Sequence, residues 1–137
     1  MQNPPPVQTA PKSSTGLDEN IAALLSYIFG WVSGLIFFLI EKNSRLVKFH
    51  AMQSILLNIV VVVLLIASWV ISMIFWLITT QLPGVLAIIV NLIVGLVWIV
   101  VSIAILIAIV MCLVKAFQGV YFKLPIIGNL AEKFSAK

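Results

Sequence analysis

Long apolar runs without a single charged side chain constrain this chain more than any other feature. Three such runs cover Ile21–Ile40, Ile55–Ile78 and Val85–Val114. At about 1.5 Å per residue, even the shortest run forms a helix of roughly 30 Å, the hydrocarbon thickness of a bilayer. A soluble domain is about half apolar and a quarter charged, whereas 63% of this chain is hydrophobic and 9% is charged. We therefore expect an all-α integral membrane protein.

The boundaries of these runs predict three transmembrane helices, over about residues 21–40, 51–79 and 85–114. Charged residues at 41–45 end the first run, and the turn signal Pro83-Gly84 separates the second from the third. A final stretch, about 125–135, places apolar and polar residues on opposite faces of a helix. This pattern predicts a short amphipathic helix that lies in the membrane interface. The predicted membrane domain is 18–137.

Residues 1–17 differ in composition from the rest of the chain. Four of the six prolines lie here, among Gln, Ser and Thr, and no apolar periodicity is present. We predict a disordered tail. The stretch lacks the basic segment, short apolar core and cleavage site of a signal peptide.

The distribution of basic residues predicts an orientation. With three spans, the 41–48 loop and the C-terminal tail share one side, which then carries seven of the eight Lys and Arg residues; Lys12 alone lies on the other. Basic loops favour the cytoplasm. We therefore expect the N-terminus outside and the C-terminus in the cytoplasm of a multi-pass protein of the cytoplasmic (inner) membrane.

Small residues recur every fourth position along the first span. Such stripes let helix backbones approach closely, and this one predicts a tight helix contact, within the chain or between protomers. Its members are Ala22, Ser26, Gly30 and Gly34.

The residue types of catalytic and metal sites are scarce. His50 is the only histidine and Cys112 the only cysteine, whereas metal sites normally need three or four ligands and a serine nucleophile needs a base. We interpret His50 as interfacial, with a pH-sensitive or ligating role as the alternative. Cys112 is interpreted as packing, with palmitoylation as the alternative. We expect no enzyme, no cofactor and no metal, and the sparse basic residues do not indicate nucleic-acid binding.

Polar side chains inside the spans have few partners in lipid, so we expect them to meet across helices at matched depth. Counting from the outer turn gives two layers. Ser72, Asn91 and Ser26 form the outer layer, and Asn58, Ser102 and Ser33 the inner one.

Two segments carry a resemblance to known proteins. The second span opens with Phe-His-Ala-Met-Gln at 49–53, and the tail contains Tyr-Phe-Lys-Leu-Pro-Ile-Ile-Gly at 121–128. These motifs resemble small prokaryotic membrane proteins of unknown function that are related to the twenty-kilodalton chloroplast inner-envelope import subunit; magnetosome membrane proteins are also similar. The resemblance covers about residues 17–134 and implies a compact helical membrane module.

The two motifs leave the membrane on the same side in the expected topology. We predict that they pack together as a cytoplasmic-face motif of Phe49, His50, Gln53, Tyr121, Pro125 and Gly128. For the whole protein we expect a non-enzymatic scaffold or accessory subunit of a membrane complex. Its partners would be lipid and other membrane subunits or further copies of itself. The alternative is an oligomeric protein-translocation or channel component.

Overall fold

The computed structural model describes residues 11–136. Within this range the chain forms five helices: α1 (Glu19–Ile28), α2 (Trp31–Ile40), α3 (Arg45–Thr79), α4 (Gly84–Phe117) and α5 (Ile127–Ser135). Two of them, α3 and α4, are long and apolar enough to cross a membrane. With 35 and 34 residues, each extends about 50 Å, which exceeds a hydrocarbon core of about 30 Å.

The expected first span is wrong as a single helix. It consists of α1 and α2, of 10 residues each, so each reaches only about 15 Å. The break lies at Gly30, whose φ of 61° and ψ of −129° are far from helical values. Glycine adopts a positive φ without a Cβ clash, and α1 and α2 pack against each other as a hairpin.

The described chain divides into two compact units. One, here called the charged unit, contains residues 11–56 and 113–136, and so α1, α2, the start of α3, the end of α4 and α5. The other, the apolar unit, contains residues 57–112, the remainder of α3 and α4 with the turn between them. Every charged residue of the sequence lies outside 57–112.

The core of the charged unit is rich in small and polar side chains. Ala22, Ala23 and Val47 are fully buried there, and so are the polar residues Ser26 and Gln53. In the apolar unit, by contrast, most large apolar side chains are exposed. A surface of this kind requires lipid or a protein partner.

The tail expected to be disordered falls partly outside the described residues, which exclude 1–10. Its remainder, 11–17, forms a turn in which Ser13 N–H donates to the Leu17 carbonyl at 2.9 Å and Glu19 N–H to the Pro11 carbonyl at 3.1 Å. At the other end of the chain, α5 spans Ile127–Ser135 within the predicted 125–135 helix.

Candidate functional site

A hydrogen-bonded histidine lies at the centre of the charged unit. His50 is fully buried. Its Nε2 lies 3.0 Å from the Val120 carbonyl oxygen and its Nδ1 3.1 Å from the Tyr27 hydroxyl. Because a carbonyl only accepts, Nε2 carries the proton; in the neutral ring, Nδ1 then accepts from Tyr27. One imidazole thus links three segments: α1, α3 and the segment after α4.

Gln53 repeats this arrangement one helical turn later. Its Nε2 donates to the Phe122 carbonyl at 3.1 Å, and the side chain is fully buried. Residues three apart on a helix lie on one face, so His50 and Gln53 both face the 118–126 segment. That segment is not helical, and its carbonyls are therefore available as acceptors.

Aromatic contacts accompany these hydrogen bonds. The rings of Phe49 and Tyr121 lie 5.4 Å apart, and those of Phe49 and His50 lie 5.2 Å apart in an edge-to-face arrangement. Such spacings are favourable for aromatic pairs. The structure thus brings together four residues of the predicted cytoplasmic-face motif, namely Phe49, His50, Gln53 and Tyr121.

The other two residues of that motif lie in the turn that leads into α5. Pro125 is exposed. Gly128 is buried, and a Cβ there would come within 2.5 Å of the Lys123 Cα. The role of Gly128 is therefore to let the chain fold back closely on itself before α5 begins.

A buried carboxylate that the sequence analysis did not single out connects the N-terminal turn to the loop before α3. Glu41 is 1% exposed. Its carboxylate accepts from the backbone N–H groups of Ser14, Asn43 and Ser44 and from the Ser14 hydroxyl, at 2.8–3.1 Å. Burial raises the pKa of Glu41, but these hydrogen bonds together outweigh it and hold the pKa below its ordinary value of 4.5.

A signal for this cluster is present in the sequence. Ser44 precedes α3, and its hydroxyl accepts from the Val47 N–H at 3.1 Å, the pattern of an N-cap. The Ser44 hydroxyl also donates to the Glu19 carboxylate. An acidic residue three positions before a capping serine at the end of an apolar run is therefore a useful cue.

These contacts differ from those expected of a first run that spans a membrane. Residues 14 and 41 flank the first apolar run, and a single span would separate them by the thickness of the membrane. Ser14 instead bonds directly to Glu41, and Ser44 to Glu19. The N-terminal turn and the 41–45 loop therefore lie next to each other, because the α1–α2 hairpin returns to where it began.

The stripe of small residues packs within the chain. A Cβ on Gly34 would lie 2.9 Å from the Ala51 carbonyl oxygen of α3, so only glycine permits this approach. The Ser54 hydroxyl donates to the Gly30 carbonyl at 3.0 Å. Ala22 and Ser26 are both fully buried.

The predicted polar layers are wrong for the first run. Ser26 and Ser33 were expected at different depths, but the Ser33 hydroxyl donates to the Ser26 carbonyl at 3.0 Å. The fold of the hairpin brings these residues together, although they are seven positions apart.

In the apolar unit the polar side chains are arranged differently from the prediction. The Asn91 amide donates to the Ala87 carbonyl at 2.7 Å and the Ser102 hydroxyl to the Trp98 carbonyl at 2.8 Å, both within α4. Asn58 is half-buried on α3. Ser72 and Ser102, expected in separate layers, line one cavity of about 180 Å³.

In the charged unit, the buried polar side chains hold backbone segments in position and are not exposed as reactive groups. The imidazole, amide and carboxylate of His50, Gln53 and Glu41 all bond to backbone atoms of other segments. Within residues 11–136, no three His, Cys, Asp or Glu side chains come together as a potential metal site.

Comparison with known proteins gives the context for this architecture. A model of the magnetosome magnetite crystal formation protein family matches residues 17–131. The chain belongs to this family. The match includes both the α1–α2 hairpin and the 121–128 segment.

Archaeal membrane proteins are also similar over most of the chain. A UPF0132 membrane protein of Methanocaldococcus jannaschii is 41% identical over 90% of this chain and 94% of its own length. One from Archaeoglobus fulgidus is 39% identical over 85% of this chain and 95% of its own. A second M. jannaschii protein is 31% identical over 87% of this chain and 71% of its own. No solved structure matches.

Proposed function

We propose that this family member is a non-enzymatic, multi-pass protein of the cytoplasmic membrane that serves as a scaffold or accessory subunit of a membrane complex. The surface of the apolar unit carries the proposal. Residues 57–112 contain no charged side chain, and Trp69, Val85 and Leu92 are each about 70% exposed. Without an ionisable group at membrane depth, coupled ion transport is disfavoured, whereas packing against lipid and other subunits is favoured.

The proposed topology has two full spans, α3 and α4, with both termini in the cytoplasm. The contact between Ser14 and Glu41 supports it, because it puts the N-terminal turn beside the basic 42–48 segment. All eight Lys and Arg residues then lie on one side, and the opposite turn, 80–83, is uncharged. A three-span arrangement would put only seven of the eight basic residues on one side. The two-span arrangement therefore gives the larger charge difference, which favours a cytoplasmic location for the basic side.

In this topology α1 and α2 form a re-entrant hairpin. Each helix reaches about 15 Å, half of a hydrocarbon core, and the exposed tip is apolar: Phe29 is 76% and Trp31 56% exposed. The ends of the hairpin carry Asp18, Glu19 and Glu41. An apolar tip between charged ends suits entry into one leaflet and return to the same surface.

Reporter fusions test the topology. A compartment-specific reporter is fused before Met1 in one version and after Lys137 in another, and a third is inserted between Gln81 and Leu82. The proposal expects cytoplasmic activity at both termini and external activity at the 81–82 turn. External activity of the N-terminal fusion would contradict the two-span topology.

Purification from the native membrane tests the function. The tagged full chain is extracted in mild detergent, and the co-purifying chains are identified and counted by mass spectrometry. Other subunits in a fixed ratio support the scaffold or accessory role. A homo-oligomer that conducts ions in planar bilayers would overturn it in favour of the second candidate.

That second candidate is an oligomeric channel or protein-translocation component. A cavity of about 180 Å³ favours it, because Ser68, Ser72 and Ser102 add hydroxyl groups to an otherwise apolar lining. The likeness to the chloroplast import subunit remains a prediction and points the same way. The family name refers to magnetite crystal formation. For this chain we propose only the membrane location and do not extend mineral formation to it.

A further inference from the structure

A cavity in the charged unit lies between the start of α3, the 118–126 segment and the end of α5. Its volume is about 370 Å³. The lining combines a guanidinium, a carboxylate, two hydroxyl groups and an aromatic ring, from Arg45, Glu132, Tyr121, Ser135 and Phe49, with Ala136 at the edge. His50 and Gln53, which bond to the 118–126 segment, do not line this cavity.

The charges around the cavity leave Arg45 available for a ligand. The Glu132 carboxylate is engaged by Lys123, with 2.7 Å between Nζ and Oε2. No carboxylate among residues 11–136 forms an ion pair with Arg45. Glu19, the other nearby acid, accepts from Ser44.

Tyr121 supplies a hydrogen-bond donor beside this cation. Burial and the Glu19 carboxylate raise the pKa of Tyr121, and Arg45 opposes them only in part. The phenol therefore keeps its proton at neutral pH and can donate. Its ring also packs against that of Phe49, with 5.4 Å between the ring centroids.

An arginine fork beside a phenolic hydroxyl matches the oxygens of a phosphate group, which accept paired, charge-assisted hydrogen bonds. The amphipathic character of α5 points to a membrane lipid as the source of that phosphate. Leu130 is 41% and Phe134 44% exposed, and Glu132 and Ser135, which line the cavity, lie on the opposite, polar face of the same helix. An amphipathic helix of this type lies among lipid chains near the headgroups.

We propose that this cavity binds the phosphate of an anionic phospholipid headgroup, with Arg45 and Tyr121 as its donors. The proposal rests on the membrane location proposed above, but not on the scaffold role. The net charge of +4, all of it outside the apolar unit, favours an anionic over a zwitterionic lipid.

The test measures lipid binding to the purified full chain by native mass spectrometry in detergent. The probes are phosphatidylglycerol, phosphatidylcholine and, separately, inorganic phosphate and glycerol phosphate. We expect Arg45→Gln to weaken phosphatidylglycerol binding about tenfold or more, since a charged hydrogen bond contributes about that factor. Phosphatidylcholine should bind the parent chain more weakly than phosphatidylglycerol, because its choline cation is repelled by the basic residues of the charged unit. Tyr121→Phe, which keeps the ring, should weaken binding about threefold to tenfold.

Lys42→Gln is the matched control. It removes the same charge from an exposed side chain three positions before Arg45 that does not line the cavity. An equal loss in Lys42→Gln and Arg45→Gln would overturn the site in favour of diffuse attraction. Equal binding of both lipids would also overturn it, and displacement of the lipid by millimolar inorganic phosphate would assign the cavity to a free anion.

Two further measurements separate this proposal from the others. Matching unfolding midpoints of Arg45→Gln and the parent chain exclude a folding defect; if they differ, the Tyr121→Phe result decides. Reconstitution into vesicles is scored independently. A chain that fails to insert contradicts the proposed membrane function, whereas a chain that inserts without lipid preference contradicts only the binding site.

Discussion

His50 and Gln53 of the charged unit bond to backbone carbonyls about seventy positions away in the chain, whereas Asn91 and Ser102 of the apolar unit bond to carbonyls four positions back in their own helix. Bonds between distant segments impose one arrangement of those segments. A hydrogen bond within one helix does not fix the position of that helix relative to other segments. Directional contacts therefore specify how the segments of the charged unit are arranged, whereas these two bonds of the apolar unit do not specify how its helices pack.

The largest difference is expected from a matched pair of glycine substitutions. Gly34→Leu places a side chain against the Ala51 carbonyl, 2.9 Å from the ideal Cβ, whereas no heavy atom lies within 4 Å at Gly95. We expect Gly34→Leu to cost about 3 kcal/mol or more, as overpacking against backbone does, and Gly95→Leu to cost nothing measurable. A thiol-reactive dye that reports exposure of the buried Cys112 during heating in detergent measures both. Equal midpoints would contradict the close approach of α2 and α3.

A second pair compares two carboxylates. Glu41→Gln removes the charge that accepts from Ser14, Asn43 and Ser44 and should cost about 1–3 kcal/mol. Glu132→Gln breaks only an exposed ion pair with Lys123 and should cost about 0–1 kcal/mol. Chemical unfolding in detergent at pH 7 measures the difference. Equal losses of unfolding free energy in the two variants would contradict a structural role for Glu41.

The same carboxylate predicts a pH dependence. Because the pKa of folded Glu41 lies below 4.5, its stabilising contribution is complete above the unfolded pKa and is lost as the pH falls through the folded pKa. Unfolding free energy measured from pH 7 to pH 3 should therefore fall more steeply in the parent chain than in Glu41→Gln. Parallel curves would contradict this assignment.

The smallest difference in stability is expected between substitutions of two side-chain amides. Gln53→Leu leaves the Phe122 carbonyl without its donor and should cost about 1–2 kcal/mol. Asn91→Leu removes an exposed bond within α4 and should change stability by less than about 0.5 kcal/mol. The Cys112 dye again provides the midpoints. If Asn91→Leu lowers stability as much as Gln53→Leu, the packing of the apolar unit depends on more than the hydrogen bonds within its helices.

Several elements of the chain follow from composition and spacing. The apolar runs predict α3 and α4, and the amphipathic pattern after Pro125 predicts α5. The motif residues Phe49, His50, Gln53 and Tyr121 lie together in the structure. Their chemistry explains this, because a buried imidazole and amide near a non-helical segment must find acceptors.

The break at Gly30 was not predictable from the hydrophobic pattern. The 21–40 run has the length and composition of a span, and glycines are common in such helices. What decides the break is a set of contacts between segments. The Gly30 carbonyl accepts from Ser54 of α3, and the Ser33 hydroxyl bonds back to Ser26.

The sequence by itself determined that the chain is helical and apolar, where its charges lie and that the second and third apolar runs form helices long enough to span a membrane, because these depend on residue type and local period. Only the tertiary structure decided that the first run is a hairpin and that Ser14 meets Glu41. It also decided that Arg45 and Tyr121 share a cavity. The reason is that hydrogen bonds and close backbone approaches join residues far apart in the chain, and no local pattern encodes which distant partner each residue meets.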